Sequence, residues 1–98
     1  MYEVLETPEF TKWFKKLRDR TARVRILDRL ERVELGNLGD HKSLGEALFE
    51  LRLTYGPAYR LYFTIRDDTI VVLLMGGDKS TQDRDIQKAR EILEGLNQ

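Results

Sequence analysis

The chain has no cysteine, a single histidine, only two prolines and no net charge across its 98 residues. Without cysteine there is no disulfide, no thiolate metal site and no thiol nucleophile, which suits a reducing compartment. One histidine, His41, cannot build a multi-histidine metal centre, and among glycines it reads as an ordinary loop residue. Seventeen basic residues against seventeen acidic ones exclude a uniformly basic nucleic-acid binder and an acidic tail as descriptions of the whole chain. The longest apolar run, Ile70–Met75, is far short of the ~20 residues that span a bilayer. Met1 to Glu6 has neither the basic start nor the apolar stretch of a signal peptide. These absences predict a cytoplasmic protein that has no membrane partner.

Apolar residues make up 41% of the chain and aromatics 9%, sufficient for one core, and no repeat or linker divides the sequence. Residues 1–98 are therefore predicted to form one domain. Tyr2–Leu5 reads as a short strand. Thr7-Pro8-Glu9 has the cap, first-turn proline and acid of a helix start, and Phe10, Trp13, Phe14 and Leu17 follow on one helical face. A second helix is predicted from about Arg20 to Leu35, with Ile26, Leu27, Leu30 and Val33 inward and Gly36-Asn37 as its stop. Residues 36–46, rich in Gly, Asn, Asp and Ser, are expected to be a loop.

From Ala47 the period becomes two. Leu51 and Leu53 alternate with Glu50, Arg52 and Thr54, and Leu61, Phe63 and Ile65 alternate with Arg60, Tyr62 and Thr64, with a turn at Tyr55–Ala58. After a turn at Arg66–Thr69, the run Ile70–Met75 is apolar on both faces, as in a strand covered on both sides. A last helix is capped at Ser80 or Thr81 and buries Ile86, Ala89, Leu93 and Leu96. The order β-α-α-β-β-β-α is an α+β fold in which two N-terminal helices pack on a small antiparallel sheet and a C-terminal helix follows.

Most catalytic constellations are absent. Neither Ser43 nor Ser80 lies in a nucleophile motif that would join His41 in a triad. Gly76-Gly77-Asp78-Lys79-Ser80-Thr81 lacks the spacing and final glycine of a phosphate loop. Asp78, Asp83 and Asp85 flank a helix start, where acids are favourable without any metal. The notable groups are basic. Between Lys12 and Arg32 nine basic side chains stand against three acidic ones, and Arg25, Arg29 and Arg32 share a helix face. This face is either a solvated surface or a contact for phosphate backbone or an acidic partner segment. Arg52, Arg60 and Tyr62 fall on one polar side of their hairpin, and Lys79 emerges near the same rim. Such a group would suit a phosphodiester, with forked donors for phosphate oxygens and an aromatic surface for a base. The alternative is that Arg52 pairs with Glu50 or another acid and merely covers the sheet.

The strings Arg25-Ile26-Leu27-Asp28-Arg29-Leu30, Gly36-Asn37-Leu38-Gly39-Asp40, Glu50-Leu51-Arg52, Gly56-Pro57-Ala58-Tyr59-Arg60-Leu61-Tyr62 and Gly76-Gly77-Asp78-Lys79-Ser80-Thr81-Gln82 together resemble one group. It is the addiction-module killer proteins of the RelE/ParE toxin superfamily, related to HigB toxins. The resemblance implies a type II toxin, neutralised by a cognate antitoxin that commonly carries a helix-turn-helix domain and brings the pair to operator DNA. It further implies a metal-independent, cofactor-free endoribonuclease acting on mRNA at the ribosome, in which the 2′-hydroxyl attacks the phosphate and basic side chains stabilise the developing charge. Arg60 matches the family's catalytic arginine, while Arg52 and Lys79 match its flanking basic positions. Tyr59, Tyr62, Arg25, Arg29 and Arg32 are then the candidate substrate contacts. Arg60 is expected to point outward, so that Arg60→Ala would leave the fold intact. The chain departs from the pattern in having no tyrosine in or near the last helix and in its balanced charge. ParE-like members share the scaffold and poison DNA gyrase without cutting RNA, so gyrase inhibition is the alternative reading.

Overall fold

A computed structural model describes residues 1–98. Strand β1 (Glu3–Glu6) leads into helices α1 (Pro8–Lys16) and α2 (Arg20–Glu34). Strands β2 (His41–Gly45), β3 (Leu48–Leu53), β4 (Tyr59–Arg66) and β5 (Ile70–Asp78) follow, then a single 3-10 turn (Lys79–Thr81) and helix α3 (Gln82–Leu96). The five strands form one sheet in the order β1-β5-β4-β3-β2.

The first helix starts as the sequence predicts. The Thr7 hydroxyl accepts from the Phe10 amide at 3.1 Å and donates to the Leu74 carbonyl at 3.0 Å, so one side chain caps α1 and ties it to the sheet. Asp19 caps α2 through the Ala22 amide at 3.1 Å. α3 starts differently, because Asp78, ahead of Ser80 and Thr81, caps the preceding turn through the Ser80 amide at 2.8 Å.

Two features of the sheet depart from the sequence reading. Residues 41–45 of the expected loop form β2, paired antiparallel to β3. Its connection is Glu46-Ala47, both left-handed at φ 50° and 66°. Turns of that shape are usually signalled by Asn-Gly or Asp-Gly, so the hairpin carried no turn signature. The sheet is also mixed rather than antiparallel, since β1 pairs parallel to β5, with Val4 beside Val71. The connection between this parallel pair is long, running through α1, α2 and strands β2–β4, as a parallel pair requires more than a hairpin.

Side-chain alternation sorts the sheet into two faces. One carries Leu51, Leu53, Tyr59, Leu61, Phe63, Val71 and Leu73 against Phe10, Ala22, Ile26 and Val33 of α1 and α2. The other carries Leu48, Tyr62, Val72 and Leu74 against Ala89 and Leu93 of α3. β5 is therefore covered on both sides, as its unbroken apolar run predicts. A register shift between Tyr62 and Phe63 leaves Leu74 unpaired. Beyond this bulge, Gly76 faces Trp13 of α1 and Gly77 faces Asp85 of α3. A Cβ at either place would lie 2.3 Å from the indole or 1.8 Å from the carboxylate. Two residues predicted inward are not, since Leu27 is 54% and Leu96 41% exposed.

Candidate functional site

Arg52 and Arg60 are directly opposed on β3 and β4, and the next pair on the same face is Glu50 opposite Tyr62. Gly77 flanks Arg60 from β5. The start of α3 closes over this square, so the side of the sheet expected to face solvent is half covered. The physical reason is the second apolar cluster: Leu48, Val72 and Leu74 must be buried, and α3 buries them together with the neighbouring polar positions.

Glu50 is the buried centre. Its side chain is 1% exposed, and its Oε1 accepts from Arg60 Nη1 at 2.8 Å and from Gln82 Nε2 of α3 at 3.0 Å. Such a pair forms only because its charges are mutually compensated and further hydrogen-bonded. Arg60 is thus not the outward side chain expected from alternation; 14% of it reaches solvent. Replacing it with alanine would leave Glu50 buried without a counter-charge. Arg52 is more open, at 41%, and its Nη2 meets Asp40 Oδ1 at 2.9 Å. The pairing of Arg52 with an acid is therefore real, but the acid is Asp40, and Glu50 belongs to Arg60.

Each guanidinium keeps a donor in reserve. Arg52 Nε, Arg60 Nε and the Tyr62 hydroxyl are buried without a partner. The two arginines are directly opposed like charges, and the carboxylates of Asp40 and Glu50 offset their repulsion. Lys79 is exposed at the same end of the sheet, with its amide donating to the Pro57 carbonyl of the β3–β4 turn at 3.3 Å. It lines a shallow cleft of about 400 Å³ with residues 80–84.

The other predicted contacts separate. Tyr62 is fully buried under α3, so it cannot present a face to a base. Its phenol titrates above the ordinary range, chiefly through burial and next through Glu50 and Asp85, and so stays a neutral donor. Tyr59 lies on the opposite face, buried, with its ring against Trp13 and stacked on Tyr55; burial raises its pKa too. Arg29 is a structural clamp. Its nitrogens donate to the carbonyls of Leu38, Asp40 and Arg52 at 2.6–3.1 Å, stitching α2 to the segment before β2 and to β3. Burial lowers its pKa, with Asp40 opposing, yet an arginine remains charged. Arg25 and Arg32 do line a groove of about 500 Å³ between α2 and the end of β3, where the Arg25 guanidinium sits 4.6 Å over the Tyr55 ring. They share no site with Arg52 and Arg60, which occupy the other face of the sheet.

Asp78, Asp83 and Asp85 do not converge: Asp78 caps a turn, and Asp85 is buried against the Thr81 hydroxyl. No three His, Asp or Glu side chains are grouped to hold a metal ion anywhere in the chain. Sequence reasoning missed Glu50 as the partner of Arg60 and Gln82 as its second donor. The available signal was an acid on the same strand face as Arg52, two residues earlier.

The profile of a family described as phage-derived Gp49-like proteins (DUF891) matches residues 12–94. The chain belongs to the Gp49-like family. A Haemophilus influenzae protein, itself uncharacterized, is 40% identical over 94 residues, covering 96% of this chain and 95% of that one. Among solved structures, a chain of the intact Escherichia coli RelBE toxin–antitoxin complex is similar at a TM-score of 0.66 and 21% identity, over 80% of this chain and 96% of that one. The isolated E. coli RelE toxin is similar at 0.66 and 19%, over 86% and 95%. The Gp49-like domain thus has the RelE fold, in agreement with the superfamily resemblance carried by the sequence motifs. No helix is long and apolar enough to cross a membrane.

Proposed function

We propose that this Gp49-like protein is the toxin of a type II toxin–antitoxin pair and acts as a metal-independent, ribosome-dependent mRNA endonuclease. The observation that carries the reading is the pair of opposed arginines, Arg52 and Arg60, whose side chains still reach solvent beside their carboxylate partners. A scissile phosphate set across that pair would accept from both forks while Asp40 and Glu50 hold the guanidiniums from behind. Donors placed where charge develops in the transition state are the largest single contribution that side chains make to such chemistry. Lys79 adds an exposed positive charge at the rim, and Arg25 and Arg32 offer a second basic surface for the message or ribosomal RNA. The neutral phenol of Tyr62 is suited to donating a hydrogen bond and unsuited to taking a proton. The protein's share in the reaction is therefore electrostatic, with the attacking 2′-hydroxyl supplied by the RNA. The RelE fold, found in a toxin–antitoxin complex, supports a cognate antitoxin as partner.

The test is primer extension on a message translated in vitro, with and without ribosomes. Arg60→Lys keeps a counter-charge for Glu50 but loses the fork, and Arg52→Ala removes the more exposed clamp. Either is expected to lower cleavage by about 10²–10³-fold with the thermal transition retained. Cuts that depend on ribosomes and on both arginines support the reading. An intact message in the presence of toxic wild-type protein overturns it and makes gyrase the next target to assay.

A further inference from the structure

Helix α2 has an outer face that nothing in the chain covers. Ala22, Ile26 and Val33 face the core, whereas Val24 is 57% and Leu27 54% exposed on the far side. Arg20 and Glu31, also exposed, stand on the same ridge, so that Arg20, Val24, Leu27 and Glu31 follow at spacings of four, three and four residues. Those are the spacings of a coiled-coil seam. The two charges lie about 16 Å apart along the axis at 1.5 Å per residue, too far to pair with each other. The ion pairs of the chain involve neither.

The seam reads positive, apolar, apolar, negative, and this order is complementary to its own reverse. An antiparallel second copy centred between Arg25 and Ile26 places Val24 against the second copy's Leu27 and Arg20 against its Glu31, and two-fold symmetry repeats both pairs. We infer that this Gp49-like chain self-associates through α2 as an antiparallel helix pair with that register. The interface is isologous, as in most homodimers. A single pair of helices of about 22 Å buries less than the ~800 Å² per partner of a standard interface, so the dimer forms weakly and with concentration. α2 packs on the face of the sheet opposite Arg52 and Arg60, and the rim stays open in the dimer; the inference is independent of the proposed function.

Sedimentation velocity on the full chain, from low micromolar to near-millimolar concentration, is expected to show a monomer–dimer equilibrium. Leu27→Asp, at an exposed position that leaves the helical circular dichroism unchanged, should weaken it by about tenfold or more, the loss of ~1.4 kcal/mol. Arg20→Glu alone should weaken it by setting acid against acid, and Arg20→Glu combined with Glu31→Arg should restore it. Because the chain has no cysteine, chains carrying Val24→Cys and Leu27→Cys can be mixed and oxidised, and the mixed disulfide should exceed either homodisulfide. A chain that stays monomeric throughout, single variants that dimerise as wild type does, or homodisulfides that dominate would each overturn the inference. If the monomeric chain instead binds a purified antitoxin and Leu27→Asp abolishes that binding, the face belongs to a different partner and self-association is rejected.

Discussion

The two faces of the sheet solve opposite problems with the same alternation. Towards α1 and α2, every second residue of β3 and β4, and of β5 as far as Leu73, is aliphatic or aromatic, and the cluster is closed by the Phe10, Trp13 and Phe14 rings. Towards α3, the apolar cluster holds Leu48, Val72, Leu74 and the Tyr62 ring, and beside it lie Glu50, Arg52, Arg60 and the Tyr62 hydroxyl. Three of the four keep a buried donor unsatisfied or an exposed charge. An apolar face is stable with nothing added to it. A face with unspent donors carries a desolvation cost that the apolar face does not.

The comparison can be broken or sharpened by substitution. Phe63→Ala, in the all-apolar face, should have the largest effect, about 3–5 kcal/mol in urea unfolding; a loss below ~1 kcal/mol would show that this face is not the main source of stability. Glu50→Ala should follow at about 2–3 kcal/mol, below the usual cost of orphaning a buried charge because Arg60 still reaches water, and Glu50→Gln should recover part of it. Gly76→Ala and Gly77→Ala test the close approach of α1 and α3. Each should cost about 1–3 kcal/mol by overpacking, and only the first should alter tryptophan fluorescence.

A pH titration separates the faces less strongly. Tyr59 and Tyr62 both have raised pKa values, chiefly through burial, so the folded chain holds protons that the unfolded chain releases near pH 10. That stability is complete below about pH 10 and is lost as the pH climbs above it. Tyrosinate absorbance from these two rings should therefore rise together with unfolding and not before. Arg52→Ala should be the mildest change. Its partner Asp40 is 48% exposed, and a pair so open contributes ~1 kcal/mol or less. A much larger loss in chemical unfolding would mean that Arg52 is part of the scaffold and not a group held ready for an anion.

The helix starts at Thr7 and about Arg20, the strand periodicity of β3 and β4 and the double burial of β5 were legible because each depends on a few neighbouring residues. β2 was not, since its two-residue turn uses Glu46 and Ala47 in a left-handed conformation that neither residue announces. The site was half legible. Alternation placed Arg52, Arg60 and Tyr62 on one side, but the identity of that side depended on where α3 lands, some twenty residues later. For this reason Tyr62 proved buried and Arg60 enclosed. Arg29 was misread for a related cause: its three acceptors lie in the segment before β2 and on β3, which meet α2 only in the folded chain.

By itself, then, the order of residues determined the helices, the strand faces, the family resemblance and which cations exist, since caps, periodicity and motif are short-range properties. The tertiary structure alone decided which cations are spent and which are free. Glu50 takes Arg60 to bury a charge, Asp40 takes Arg52 at the surface, and Arg29 is consumed by carbonyls. The cause is physical: a guanidinium's partner is chosen by distance and desolvation, and both exist only after α3 and the segment before β2 have closed on the sheet.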